Sequence, residues 1–217
     1  MRVLLVYPNL YGMNMLPPAI GILNACLRRE GHKVALFDTT IYPELGEGFD
    51  SDKQKDVRLN ARPYDDTLLK SHAKLTSPTD DFKDYIQSFS PDLIAFSLTE
   101  DMYPNALTLL KALEEKDRPP VVAGGVFPSF APELALRRSE GRIDYVLIGE
   151  GEKSLLELCR RLESGQDVSP IEGIWFLRKD GALRSSPLPK LIDVNTVPLP
   201  DYDFFPESRY YRPMQGR

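Results

Sequence analysis

Short continuous apolar runs alternate with amphipathic stretches over most of this chain. Arg2 to Tyr7 is such a run, of the kind found in strands buried on both faces. Pro8-Asn9-Leu10-Tyr11-Gly12 reads as loop. Pro17-Pro18 opens a helix, since proline is favoured at the first helical position. Ala19, Ile20, Leu23, Cys26 and Leu27 form its apolar stripe, and Gly31 closes it. Lys33 to Asp38 is a second strand. The pattern then breaks: Ile41 to Ser77 is polar, holds Gly46, Gly48 and Pro63, and reads as an insertion with a short helix near Asp65 to Lys74.

Alternation resumes at Pro78 with a helix, capped by Ser77 or Thr79, whose inner face is Phe82, Tyr85, Ile86 and Phe89. Asp92 to Leu98 is a strand. A helix from near Pro104 turns Leu107, Leu110 and Leu113 inward. Strands at Pro120 to Ala123 and Ile143 to Ile148 flank a shorter helix, Pro132 to Arg138. Gly149-Glu150-Gly151-Glu152 leads into a helix with Leu155, Leu156, Cys159 and Leu162 inward. Five strands alternating with helices predict an α/β fold, a flavodoxin-like (Rossmann-like) doubly wound five-stranded parallel sheet of order 2-1-3-4-5. Gly173 to Leu177 and Ala182 to Ser185, joined by Lys179-Asp180-Gly181, predict a C-terminal β-hairpin. From Asn195 the chain is rich in proline and aromatics and reads as an extended linker. The expected organisation is an α/β domain over 1–165 with its polar insertion at 41–77, a hairpin appendage over 166–194, and a linker over 195–217.

Composition narrows the function classes. A net charge of -5 argues against a general nucleic-acid or anionic-membrane binder. No apolar run approaches a membrane span, and the amino terminus has no signal-peptide layout, so a cytoplasmic location is expected. The two cysteines, Cys26 and Cys159, lie on apolar helix faces and are expected buried and reduced.

Ligands of open parallel sheets bind outside the carboxyl ends of the strands, at the switch point. Four loops share that rim: Asn9-Leu10-Tyr11-Gly12, Ser97-Leu98-Thr99-Glu100, Gly124-Gly125-Val126-Phe127 and Gly149-Glu150-Gly151-Glu152. They offer hydroxyls, small residues and free backbone N–H groups, but no lysine or arginine, and their glycine spacing matches neither a P-loop nor a dinucleotide fingerprint. Gly124-Gly125 is either a turn needing positive φ or bare backbone for a ligand to lie against. Glu150 and Glu152 open a helix, where the dipole favours carboxylates in any case. His32 starts the second strand and so belongs to the opposite rim, while His72 lies in the insertion. No His, Cys, Asp or Glu set has metal-ligand spacing, and no Ser-His-Asp or Cys-His set stands out. The residues amount to a binding rim without catalytic machinery.

The chain resembles the amino-terminal cobalamin-binding domain of cobalamin-dependent radical S-adenosylmethionine (SAM) enzymes, a group of methyltransferases and the anaerobic magnesium-protoporphyrin monomethyl ester cyclase. The carriers are Pro17-Pro18-Ala19-Ile20-Gly21, Glu30-Gly31-His32-Lys33-Val34, Gly124-Gly125 with Pro128-Ser129, Asp144-Tyr145-Val146-Leu147-Ile148-Gly149-Glu150-Gly151-Glu152, and Pro198-Leu199-Pro200-Asp201-Tyr202-Asp203. The wider cobalamin-binding fold carries Asp-x-His-x-x-Gly after strand one, Ser-x-Leu or Ser-x-Thr after strand three, and Gly-Gly after strand four. Ser97-Leu98-Thr99 and Gly124-Gly125 stand in the last two places, but Asn9 stands where the histidine would be. An amide is a poor cobalt ligand beside an imidazole. The resemblance therefore implies a base-off cobalamin with no histidine below the cobalt, its dimethylbenzimidazole tail running past Ser97 and Gly124-Gly125. It implies cofactor contacts from Asn9, Leu10, Tyr11, Gly12, Ser97, Leu98, Thr99, Gly124, Gly125, Val126, Phe127, Gly149, Glu150 and Gly151.

Radical SAM enzymes hold a 4Fe-4S cluster on Cys-x-x-x-Cys-x-x-Cys, which Cys26 and Cys159 cannot supply. The cluster and S-adenosylmethionine are thus expected on a radical SAM barrel absent from these residues, toward which 195–217 would lead. The alternative is a degenerate scaffold or partner-docking module that no longer binds cobalamin. A receiver domain would need an Asp closing strand three, where Ser97 stands.

Overall fold

The computed structural model describes residues 1–13, 15–46, 71–114, 116 and 118–210. Most of the expected insertion and its short helix therefore lie outside the described residues. The strands are β1 (Arg2–Tyr7), β2 (Lys33–Asp38), β3 (Leu93–Ser97), β4 (Val121–Gly124), β5 (Tyr145–Leu147), β6 (Ile174–Leu177) and β7 (Leu183–Ser185). The helices are α1 (Pro18–Arg29), α2 (Pro78–Phe89), α3 (Tyr103–Lys111), α4 (Val126–Phe130), α5 (Pro132–Arg138) and α6 (Gly151–Glu163).

The sheet runs β2-β1-β3-β4-β5-β6-β7. Its first five strands are parallel, in the expected order. The hairpin does not stand apart, however. β6 pairs antiparallel with β5, through Ile174 opposite Leu147 and Trp175 opposite Val146, and β7 pairs with β6. The sheet is mixed and seven-stranded. A bare β5 would leave an open edge of N–H and C=O groups, which the hairpin covers.

Strand side chains alternate between faces, and this divides the core in two. Val3, Leu5, Ala95 and Val122 face α1 and α6, meeting Ile20, Leu27, Leu155, Leu158 and Cys159. Leu4, Val6, Ile94, Phe96 and Ala123 face the other side, meeting Phe82, Ala106, Leu109, Leu110 and Leu136. Along α3 the fully buried positions are Ala106, Leu109 and Leu110, while Leu107, and Leu113 just beyond the helix, are only partly buried. Of the expected stripe, Leu110 is thus fully buried and the other two pack against the core less deeply; in the first turn Tyr103 donates its hydroxyl hydrogen to the Ala135 carbonyl at 2.7 Å. Ser77 caps α2. Both cysteines are free and buried; burial raises the Cys26 thiol pKa and pushes Cys159 up to about 12, so neither offers a ready thiolate.

The segment from residue 195 was expected to be an extended linker. Its described part lies back on α1. The Asp201 N–H donates to the Gly21 carbonyl at 3.0 Å, Asn24 Nδ2 donates to the Asp201 carbonyl at 3.0 Å, and Arg28 pairs with the Asp201 carboxylate at 2.9 Å. A Cβ on Gly21 would stand 2.6 Å from the Tyr202 ring and 2.9 Å from Pro200. Two motifs far apart in sequence are thus a single contact, and Gly21 is glycine because Tyr202 lies against it. Farther on, Phe205 is buried and Arg209 Nε reaches Asp38 at 2.8 Å. Up to residue 210 this part of the chain is strapped across the domain.

Candidate cofactor groove

The strand order reverses between β1 and β3, and α1 and α6 pack on one face beside that reversal. Between these helices and the carboxyl ends of the strands lies a groove of roughly 250 Å³. Leu5, Ala95 and Val122 form its floor, with Ser97 and Gly124 at the strand ends. Ala19, Ile20 and Leu23 of α1 form one wall; Gly149, Glu150, Gly151, Glu152 and Leu155 form the other. The lining is mainly apolar, with Ser97, Glu150 and Glu152 as its polar side chains.

The two neighbouring glycines do different work. Gly124 keeps ordinary dihedrals, and a Cβ there would meet only the Leu147 carbonyl at 3.6 Å, an ordinary contact. It is the bare wall. Gly125 has φ 101, and a Cβ on it would stand 2.6 Å from the Leu98 carbonyl oxygen and 2.8 Å from the Leu98 nitrogen. Leu98 donates to the Gly124 carbonyl at 2.9 Å and accepts from the Phe127 N–H at 3.2 Å, so the loops after β3 and β4 are laced together at this point. Gly125 borders the groove but is glycine because of that lacing.

Of the fourteen expected contact residues, the structure brings Ser97, Gly124, Gly125, Gly149, Glu150 and Gly151 to the groove. The other eight do not line it. Asn9 is 1% exposed. Its Nδ2 donates to the Met13 carbonyl at 2.7 Å and to Thr40 Oγ1 at 3.0 Å, and its carbonyl accepts from Thr39 Oγ1 at 2.6 Å. The Tyr11 N–H goes to the Gly46 carbonyl and the Gly12 N–H to the Thr40 carbonyl. Leu10 belongs to the same loop, bound to the end of β2. Leu98 is buried, and Thr99 donates its hydroxyl hydrogen to Asp101. Val126 is exposed, while Phe127 packs on Tyr103 on the opposite face of the sheet, ring centroids 4.9 Å apart.

Sequence reasoning missed the α1 wall and the floor. The signal was available as parity: Leu5, Ala95 and Val122 share the face that α1 and α6 cover. Glu150 turns outward and accepts the Ile192 N–H at 2.6 Å, tying down the chain that leaves the hairpin. His32 sits at the opposite edge, its Nδ1 3.1 Å from the Met1 nitrogen, and His72 is exposed. Asp144 also serves that opposite edge, accepting from Arg118 and from the Val121 N–H. Among the described residues no group of three or more His, Cys, Asp or Glu is placed to hold a metal ion, and no helix is long and apolar enough to cross a membrane.

An apolar groove at a switch point, next to a Ser-x-Leu/Thr and Gly-Gly pair, invites comparison with known proteins. Residues 66–159 match the B12 binding domain family. An uncharacterized methyltransferase of Pyrococcus horikoshii is 33% identical over 132 residues, 60% of this chain and 28% of that protein. The anaerobic magnesium-protoporphyrin IX monomethyl ester cyclase of Synechocystis is 33% identical over 75 residues, 35% of this chain and 15% of that one. The radical S-adenosylmethionine methyltransferase TsrM from Kitasatospora setae, solved with cobalamin and an iron–sulfur cluster bound, superposes with a TM-score of 0.63 at 21% identity, over 92% of this chain and 31% of that one. That last likeness is one of fold. The resemblance to cobalamin-dependent radical SAM enzymes read from the motifs is borne out by these matches. The chain spans under a third of the length of each of these proteins.

Proposed function

We propose that this chain is a corrinoid-presenting domain, which holds cobalamin base-off by burying its nucleotide tail in the groove between the sheet, α1 and α6. The groove itself carries the reading. Pockets for whole drug-sized ligands run to about 300–1,000 Å³, so a groove of roughly 250 Å³ fits an arm and leaves the corrin on the rim above. Its apolar floor suits a flat aromatic base, and Gly124 gives bare backbone where the tail would pass.

No histidine would lie below the cobalt. Asn9, in the histidine's place, has its amide N–H groups committed within its own loop. When bound, cobalamin would supply the cobalt chemistry of methyl transfer or of a radical reaction. This chain's residues bind and orient it, and the catalytic barrel with its cluster and S-adenosylmethionine belongs to the rest of a longer protein. The organisation proposed is a cobalamin-binding α/β domain over 1–165, the hairpin over 166–194, and a connection over 195–217.

The test is direct. Hydroxocobalamin is mixed with the protein, free corrinoid is removed by desalting, and the visible spectrum is read. Retained corrinoid bands are expected from the wild type, and none from Gly124→Val. A folded wild-type protein that leaves the column colourless would favour a scaffold or docking module instead.

A further inference from the structure

Glu152 is a groove residue with a carboxylate oxygen that the described part of the fold leaves unused. It is the second residue of α6, where the helix dipole favours a carboxylate, but the dipole does not require burial. Glu150, nearby, shows the ordinary outcome: it turns outward and accepts a backbone N–H. Both line the groove, but Glu152 is only partly exposed and makes no such bond through its Oε2. Its Oε2 is shut off from solvent and has no hydrogen-bond partner among the described residues. An acceptor buried without a partner costs about 1–3 kcal/mol, and more when charged. A fold that keeps such an atom in a mainly apolar groove has the form of a ligand site, where apolar walls supply affinity and a few polar groups fix orientation.

The proposed arm presents the complementary need. A heterocyclic base released from cobalt carries a ring nitrogen with no partner, and burial in an apolar groove penalises that nitrogen as it does the carboxyl. We propose that Glu152 reads the base of the nucleotide tail, its carboxyl group hydrogen-bonding to that ring nitrogen through one shared proton. The proposal rests on the cobalamin-binding reading above and adds to it a residue that selects among corrinoids. A cobamide with a nitrogen heterocycle fits. One with a phenolic base fills the groove without making the bond, and cobinamide, which lacks the tail, never reaches it. Ser97, the other polar side chain at the strand ends, would lie along the same arm.

The experiment compares wild type, Glu152→Leu and Glu152→Gln by equilibrium titration with cobalamin, a phenolic cobamide and cobinamide, alongside thermal melts of the unliganded proteins. Wild type should bind cobalamin more tightly than the other two. Glu152→Leu should lose about tenfold in cobalamin affinity, the size of one charge-assisted hydrogen bond, with cobinamide unchanged. Glu152→Gln, whose amide can still donate to the ring nitrogen, should recover most of the loss. Unliganded Glu152→Leu should melt no lower than wild type, since it removes an orphan polar atom from an apolar site. A purely structural carboxylate predicts the reverse, a lower melting temperature with unchanged preference among corrinoids. The inference is overturned if Glu152→Leu keeps full cobalamin affinity, or if it weakens cobalamin and cobinamide equally. If wild type binds none of the three, the proposed function falls and this inference with it; if wild type binds cobalamin and Glu152→Leu matches it, the inference alone falls.

Discussion

Two stretches on the same rim of the sheet behave in opposite ways. The loop after β1 is tied to the end of β2: Asn9, Tyr11 and Gly12 make hydrogen bonds to Met13, Thr39, Thr40 and Gly46, while the Asn9 Oδ1 is buried without a partner among the described residues. The groove beneath β3 to β5 is open, with Gly124 bare and the Glu152 Oε2 unpartnered. The unmatched Asn9 oxygen sits inside a hydrogen-bonded loop, whereas the unmatched Glu152 oxygen belongs to a residue lining an open groove. A rim position or an unmatched acceptor alone is therefore not enough to assign a residue to the groove; open space beside the unmatched atom is needed as well.

The contrast can be broken by substitution, and the largest effect is expected at Gly125. Gly125→Val puts a β-branched residue at φ 101 with its Cβ inside the Leu98 backbone. A loss of about 3 kcal/mol or more is expected, or no cooperative unfolding at all. A wild-type urea midpoint would show that the two loops are not laced as described. Gly124→Val comes next. Its Cβ is accommodated and valine suits a strand, so the melt should move by under ~1 kcal/mol, while its methyl groups occupy the groove and corrinoid retention falls by tenfold or more. Equal loss of stability at both glycines would erase the distinction between them.

On the closed side, Asn9→Ala should cost about 1–2 kcal/mol, because two side-chain hydrogen bonds go. The folded fraction should hold corrinoid as well as wild type does. Loss of binding without loss of stability would move Asn9 back to the open side. The smallest effect concerns Asp81, which helps anchor the chain after β2. It accepts hydrogen bonds from Thr76, Tyr42 and Lys74. The Thr76 bond is the leading cause holding its carboxyl below the ordinary value of 3.8, with Tyr42 and Lys74 adding to it. A depressed carboxyl contributes stability that is present above the unfolded value and lost as pH falls through the folded one. Acidification from pH 5 to about 3 should therefore cost the wild type stability from this group, less than ~1 kcal/mol after solvent screening. Asp81→Asn should flatten that part of the profile in acid melts.

Most of the strand positions and the order of the first five were legible because burial on both faces writes itself as continuous apolar runs. Arg2–Tyr7 and Lys33–Asp38 match their expected limits. The groove was half legible. Ser97, Gly124 and Gly149 to Gly151 follow from strand ends and a switch point, but α1's wall required knowing which strand face the helix covers. What Asn9 does inside the fold was not legible for a physical reason: its place after β1 is a matter of sequence, while the engagement of its amide with Thr40 depends on a residue 31 positions away.

The sequence by itself determined the alternation of strands and helices, the rim where a ligand would sit, and the resemblance to cobalamin-binding domains. Local patterns carry that information, since burial and backbone dihedrals are properties of neighbouring residues. The tertiary structure alone decided that the hairpin extends the sheet, that the Pro200-Asp201-Tyr202 strap lies on Gly21, that one glycine of the pair is a wall and the other a close approach, and that the Glu152 Oε2 has no partner among the described residues. Each depends on which distant atoms come within a few ångströms of a given Cα or oxygen, and no pattern along the chain records that.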